Sequence, residues 1–263
     1  MKVITFLSDF GISSHYIAQM KGVILKNHPQ VTCIDISHTI SPQHIQSGAF
    51  ILRATIPYFP KGTIHIAVVD PGVGTQRRGI VVITKNHILI GPDNGLLIPA
   101  AQDQGSFTVY EITNKAYSNN NISNTFHGRD IFAPIAAHIL NGIAFDSIGQ
   151  IIHDFTYLNI NKPTFSQNSI TGEVVFIDNF GNIITNIDRS CIHENLQAGK
   201  MFSITIKNKT VQIPYHQAYG FIPNDQLLLT IGSTNLVEIA LNQGNAAQVL
   251  DVSVHDSIVI GFS

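Results

Sequence analysis

The stretch Val3-Ile4-Thr5-Phe6-Leu7-Ser8-Asp9-Phe10-Gly11 opens the part of the chain whose reading decides the fold. Residues 3–7 are a short apolar run that reads as a strand ending at the polar turn Ser8-Asp9-Phe10-Gly11. Past the turn, residues 16–26 carry Ile17, Met20, Val23 and Ile24 at helical spacing, and His28-Pro29 stops them. Residues 31–36 are a second strand. The alternation continues outward. Residues 43–55 read as a helix opened by Ser41-Pro42 as N-cap and first-turn proline. Residues 63–69 are a third strand ending at Asp70-Pro71-Gly72, 80–84 and 87–90 a hairpin pair, and 130–140 a further helix. Strands alternating with helices predict an α/β fold with a mainly parallel sheet covered on both faces.

The character of the chain changes near residue 155. Residues 156–169, with Asn159, Asn161, Pro163, Ser166 and Asn168, have little periodicity and read as a linker. Beyond it come short strand-like runs at 172–177, 183–187, 202–206, 211–213, 227–231, 237–241 and 257–260, with only 244–250 hinting at a helical turn. These predict a small all-β barrel or sandwich. The expected organisation is a Rossmann-like α/β domain over 1–155 and a barrel-like domain over 170–263.

Composition narrows the function. The 263 residues are 44% hydrophobic and 12% charged, which excludes a disordered chain. With 15 basic against 17 acidic residues there is no cationic surplus for general nucleic-acid binding. Cys33 and Cys191 stand far apart, which suggests a reducing compartment rather than a disulfide framework or a zinc pair. The first apolar run meets Asp9 too early for a signal peptide, and no stretch is long enough to span a membrane. The expectation is a soluble cytoplasmic protein with a small-molecule partner, neither nucleic acid nor membrane.

Four constellations could carry chemistry. Asp9, at the end of the first strand, could accept hydrogen bonds from sugar hydroxyls or simply cap the following helix. Asp70 is delivered to the end of the third strand, and the loop Pro71-Gly72-Val73-Gly74-Thr75-Gln76 turns back past Arg77 and Arg78. That loop matches neither phosphate-cradle motif, so a tight turn with solvated arginines is the plainer reading. In Phe126-His127-Gly128-Arg129-Asp130, His127 precedes a helix that Asp130 is placed to cap. The helix dipole there predicts a neutral imidazole near pH 7. In Asp178-Asn179-Phe180-Gly181-Asn182, polar groups and an aromatic face could hold a purine or amine, or form a hairpin turn. No metal-ligand spacing and no nucleophile elbow is present.

Taken in order, these motifs resemble one family. Ser8-Asp9-Phe10-Gly11 with Met20-Lys21-Gly22, Val69 to Gly74 with Arg77, Phe126 to Asp130, Asp178 to Asn182 with Thr185-Asn186, and Gly232-Ser233 with Glu238-Ile239-Ala240 and Asn242-Gln243-Gly244 are similar to the S-adenosylmethionine hydroxide adenosyltransferases. These are adenosine-forming hydrolases of S-adenosylmethionine (SAM), related to fluorinase and chlorinase. The resemblance implies an α/β domain followed by a barrel-like domain, and a homotrimer with SAM at the subunit interfaces. It implies a water-activating triad at Asp70, Arg77 and His127. It implies substrate contacts at Asp9, Phe126, Gly128, Asp178, Phe180, Asn182, Tyr219 and Ser233. It implies neither metal nor cofactor. Ser14 departs from the pattern, because many relatives have an acid there; a hydroxyl accepts more weakly than a carboxylate.

The choice of nucleophile follows from chemistry. A halide needs a desolvating, uncharged pocket and yields no proton, whereas water needs activation. An aspartate, an arginine and a histidine together suit water. A binding module that senses SAM without turnover would keep the binding segments and lose the triad. A dinucleotide-dependent oxidoreductase would need G-x-G-x-x-G after the first strand, where the chain reads Asp9-Phe10-Gly11-Ile12-Ser13-Ser14.

Overall fold

The first strand, β1 (Val3–Ser8), is buried along its whole length because parallel strands flank both of its edges, β2 (Thr32–Ser37) and β3 (Ile64–Val68). The computed structural model describes residues 2–159, 161–207 and 209–262. It divides into two units, Met1–Leu158 and Asn159–Ser263. In the first, β4 (Gly79–Thr84) and β5 (Ile88–Pro92) form the expected hairpin, and β6 (Phe107–Glu111) lies antiparallel to β4. The strand order is β2-β1-β3-β5-β4-β6, parallel from β2 to β5 and antiparallel beyond.

Period-two alternation gives this sheet two apolar faces. Ile4, Phe6, Ile64, Ile66 and Val68 face one way, against Met20 and Ile24 of α1 (Tyr16–Asn27) and Ile135 and Ala136 of α4 (Ala133–Leu140). Leu7, Ala67, Val69, Ile80 and Val82 face the other, against Ala49 and Leu52 of α2 (Ile45–Thr55) and Ile98 and Ala101 of α3 (Ile98–Asp103). Helices α1 and α2 therefore cover opposite faces, and the strand order reverses between β1 and β3.

Two helix starts differ from expectation. α2 begins at Ile45 and is capped by His44, whose ring nitrogen accepts from the Ser47 N–H at 3.2 Å, rather than by Ser41-Pro42. The cause is Gln43, whose φ of 65° is left-handed and breaks the helical path. The helix expected from residue 130 begins as a π-turn over Gly128–Phe132, and α4 follows from Ala133. Asp130 does not cap it. Its buried carboxylate instead accepts from the Ser123 N–H at 2.9 Å, Asn119 Nδ2 at 2.9 Å and Arg129 Nε at 2.7 Å, which ties down the preceding loop.

The second unit is antiparallel. Its strands are β7 (Thr164–Phe165), β8 (Ser169–Ile177), β9 (Ile183–Asp188), β10 (Met201–Ile206), β11 (Lys209–Pro214), β12 (Leu227–Ile231), β13 (Leu236–Leu241) and β14 (Ser257–Phe262). The order is β11-β10-β14-β8-β9-β13-β12, with β7 beside β8. A bridge between Tyr215, just past β11, and Leu229 of β12 brings the two ends of the sheet together, so it nearly closes into a barrel around Ile170, Val174, Ile183, Phe202, Ile204, Ile239 and Ile260. Closure satisfies backbone groups that open edges would leave unpaired. One short helix, α5 (Ala246–Leu250), packs on this core. Among the described residues no helix is long and apolar enough to cross a membrane.

Candidate active site

In an open α/β sheet the crevice for ligands lies beyond the carboxyl ends of the strands where their order reverses. That point falls between β1 and β3, and Ser8 pairs with Val68 at their last register position. Asp9 leaves β1 and Asp70 leaves β3 just past this pair. The fold thus delivers two carboxylates, distant in sequence, to one end of adjacent strands.

Asp70 and Arg77 form a buried fork-to-fork ion pair. Arg77 Nε donates to Asp70 Oδ1 at 3.1 Å and Arg77 Nη2 donates to Oδ2, with the side chains 9% and 4% exposed. The turn residues between them make this possible, since the chain reverses through Val73 N–H to Asp70 O and Thr75 N–H to Gly72 O. Arg77 Nη1 also donates to the Arg78 carbonyl at 3.0 Å, and the guanidinium lies 5.6 Å from the centre of the Phe132 ring. The solvated-arginine reading does not hold for Arg77. Arg78 turns away, to Asp93 at 2.9 Å and Asp154 at 2.9 Å.

His127 completes the chain of contacts. Arg77 Nη2 lies 3.1 Å from His127 Nδ1. A guanidinium only donates, so Nδ1 is the acceptor and the neutral ring carries its proton on Nε2. Burial and then the Arg77 charge hold the His127 pKa below the ordinary histidine value, so the imidazole is neutral at pH 7. Neutrality was expected from the helix dipole; desolvation and the neighbouring cation supply it. Burial pushes the Asp70 carboxyl above its ordinary value, and the Arg77 charge and hydrogen bonds offset only part of that rise. Gly74, with φ of 76°, locks the Arg77 loop against the loop before His127: a Cβ there would lie 2.1 Å from the Asn124 carbonyl oxygen.

The remaining residues of this unit named from the sequence are placed as follows. Asp9 Oδ2 accepts from the Gln43 N–H at 2.8 Å, the amide that the left-handed turn presents. Its carboxylate is therefore tied to the loop before α2, not to the cap of α1. Ser14 Oγ is a buried hydroxyl without a hydrogen-bond partner among the described residues. Phe126 is buried against Phe10, Tyr16 and the Arg129 guanidinium, so its ring does not face outward. Gly128 follows His127 where a Cβ would meet Met20 Sδ at 3.0 Å.

The second unit presents its own polar cluster. Between β8 and β9 the turn closes on Asp178. Its Oδ1 accepts from the Phe180 and Asn182 N–H groups, both at 2.9 Å, and its Oδ2 accepts from Asn182 Nδ2 at 2.9 Å. Phe180 is left 77% exposed, an open ring face. Gly181, with φ of 83°, leaves room for Asn245, which caps α5. Ser233 is exposed and lines a polar cleft of about 360 Å³ with Arg189, Gln217 and Asn235. Tyr219 donates through its hydroxyl to Glu238 Oε1 at 2.6 Å. The motif containing Glu238 is visible in the sequence, but the burial of its carboxylate is not. Among the described residues no group of three or more histidine, cysteine or acidic side chains is placed to hold a metal ion.

Residues 4–149 match the family model described as the SAM hydroxide adenosyltransferase N-terminal domain, and residues 172–259 match its C-terminal domain. A protein of Methanocaldococcus jannaschii named (R)-S-adenosyl-L-methionine hydrolase is 35% identical over 99% of this chain and 96% of its own length. A fluorinase of an Actinoplanes species is 28% identical over 72% of each chain. The solved structure of an uncharacterized conserved protein from Thermotoga maritima superposes with a TM-score of 0.93 and 35% identity, over 98% of this chain and 99% of that one.

Proposed function

The chain belongs to the SAM hydroxide adenosyltransferase family, and from that premise we propose that it hydrolyses SAM to adenosine and L-methionine through Asp70, Arg77 and His127. The observation that carries this reading is a single buried guanidinium bound on one side by a carboxylate and on the other by a neutral imidazole.

The carbon attacked is ribose C5′, next to the sulfonium. The C5′–S electron pair returns to sulfur, and methionine leaves as a neutral thioether, so no acid is needed for the leaving group. The oxygen–C5′ bond forms, and the proton lost from water goes to solvent, one per turnover. Water must be held in line and its developing negative charge stabilised. Arg77 supplies the charge, fixed in place by Asp70 before the substrate arrives. With Nδ1 committed to Arg77, the Nε2–H of His127 is the group that holds the water oxygen by donation. In this geometry His127 orients the nucleophile rather than removing its proton. Because the leaving group is neutral and a fixed cation is already in place, the step needs neither metal nor cofactor.

Asp9 is assigned to the ribose, with Phe126 and Gly128 shaping the wall beside it. Asp178, Phe180 and Asn182 are assigned to adenine and methionine, Tyr219 to the substrate, and Ser233 to the methionine carboxylate. We take the first unit as Rossmann-like, because its order reverses between β1 and β3, and the enzyme as a homotrimer with SAM at the subunit interfaces. The two free cysteines, Cys33 and Cys191, suit the reducing cytoplasm. Water is preferred to a halide as nucleophile, since a halide offers no proton and a fixed arginine and imidazole serve oxygen.

Turnover of SAM in heavy-oxygen water tests the reading. The label is expected in the 5′-hydroxyl of adenosine, with one proton released per adenosine. Unlabelled adenosine, or a halogenated nucleoside as the main product when chloride or fluoride is present, refutes it. Loss of activity to a chelator, restored by a divalent ion, refutes the metal-free step. Running both sulfonium epimers side by side reads the stereochemical preference that the relatives' name specifies.

A further inference from the structure

Ser8, His38 and Asp35 stand in line at the carboxyl ends of β1 and β2. A bulge sets this up. Phe6 pairs with Asp35 but Leu7 pairs with Ser37, so β2 carries one extra residue and His38 arrives beside Ser8. The His38 ring is buried, with Nδ1 2.9 Å from Ser8 Oγ. Asp35 Oδ1 lies 3.0 Å from Nε2, close but not aligned as a hydrogen bond, and Lys21 Nζ donates to Asp35 Oδ2 at 2.6 Å. A carboxylate only accepts, so the neutral ring keeps its proton on Nε2, and Nδ1 accepts from the Ser8 hydroxyl. Ser8 Oγ in turn accepts from the Phe10 N–H at 3.3 Å.

Serine, histidine and aspartate in this order suggest a nucleophilic relay, but the burial argues otherwise. Ser8 is 1% exposed and His38 8%, so neither reaches a substrate carbon. What they hold is a turn. Three bonds tie residues 8–11 to the segment after β2. The His38 ring takes the Ser8 hydroxyl, the His38 carbonyl accepts from the Gly11 N–H at 2.7 Å, and the Gln43 N–H donates to Asp9 Oδ2 at 2.8 Å. Asp9 lies between Ser8 and Gly11 in the chain, and its Oδ1 has no hydrogen-bond partner among the described residues. An apolar side chain at position 38 would fill the space without the cost of burying a polar ring, so the imidazole fits a need for the bond to Ser8.

We propose that His38 is a positioning residue, which fixes the turn that aims Asp9 Oδ1 at the ribose hydroxyls and does not itself touch the substrate. This rests on the reading of Asp9 as the ribose contact. A carboxylate held in place before the ligand arrives spends none of the binding energy on being ordered. Gln43 fixes one of its oxygens, and the bond from Ser8 to His38 fixes the backbone that carries it.

The test is binding, read by calorimetry with adenosine and with 2′,3′-dideoxyadenosine, which lacks both ribose hydroxyls. Wild type is expected to prefer adenosine. His38→Ala is expected to weaken adenosine about 10-fold, the scale of one hydrogen bond to a charged group, and to leave dideoxyadenosine within about twofold. In an Asp9→Ala background the same substitution should change neither ligand. His38→Asn places an amide oxygen where Nδ1 stands and should restore adenosine binding. His38→Leu keeps the volume without the acceptor, and takes the place of the alanine variant should that one unfold. Equal weakening of both nucleosides, an effect of His38→Ala that persists without Asp9, or an asparagine variant as weak as the leucine one overturns the proposal. So does equal binding of the two nucleosides to wild type, which also removes Asp9 from the ribose. A wild-type protein with the expected preferences that leaves SAM intact would sink the hydrolase reading alone.

Discussion

Replacing Arg77 by alanine separates two things this side chain does. The first is structural. Asp70 and Arg77 are 4% and 9% exposed, so the substitution strands a buried carboxylate. Breaking such a pair from one side costs about 3–5 kcal/mol of folding free energy. The double variant Asp70→Asn/Arg77→Ala removes the stranded charge and should recover most of that loss. The second is catalytic. SAM already carries a sulfonium, so a second cation near C5′ does not help the ground state bind. Arg77 becomes favourable only as negative charge grows on the attacking oxygen. Losing it should cost about 3 kcal/mol of the barrier, or about 10² to 10³ in kcat, with little change in KM. The double variant should stay as inactive as the single one. Urea unfolding and steady-state kinetics on the three proteins read both effects. If Arg77→Ala raises the SAM dissociation constant and spares kcat, Arg77 binds substrate and the assignment of the triad is wrong. If the double variant is no more stable than Arg77→Ala, the buried-pair argument is wrong as well.

His127 must be neutral to accept from Arg77, and its pKa is held below the ordinary value, so the acid limb of kcat/KM should fall below about pH 6.5; a limb at or above that value refutes the arrangement. His65, fully buried and hydrogen-bonded to Thr5 at 2.7 Å and His87 at 3.2 Å, has its pKa lowered to about 3. Its unfolded-state value is higher, so the unfolded chain takes the proton first. Stability should be full above about pH 6.5 and fall by up to about 1.4 kcal/mol per unit toward pH 3, and His65→Gln should flatten that slope in urea melts. Gly74→Ala meets the Asn124 carbonyl and a left-handed φ at once, so it should lower stability by more than about 1 kcal/mol and reduce kcat, which thermal melts and kinetics check together.

The parts of this chain that were legible in advance are those written in local pattern. β1, α1 and β2 follow from the runs at 3–7, 16–26 and 31–36, and the β4–β5 hairpin from the paired runs at 80–84 and 87–90. Asp70 and Arg77 share one loop, and their pairing was within reach. His127 stands 50 residues beyond Arg77, and only the packing of two loops joins them. What was not legible depended on context. α3 and β6 are short, with Pro99 in the first turn of α3, and neither carries a long periodic pattern. Asp130 was expected to cap a helix because an acid stands before an apolar run; the folded chain uses it to bind Ser123, Asn119 and Arg129 instead. The burial of Glu238 follows from the register of β13 between β9 and β12, which no local pattern encodes.

The contact between Gly74 and Asn124 also has a dynamic consequence. Two loops that touch carbonyl to Cα, and that are bridged by Arg77 and His127, open together or not at all. Amides on both sides, Val73 and Thr75 in one loop and Ser123 and Phe126 in the other, are hydrogen-bonded within their own segments. In native-state hydrogen exchange they should therefore report one shared opening free energy, a single cooperative unit assembled from residues far apart in sequence. A variant that loosens either loop would then raise exchange in the other.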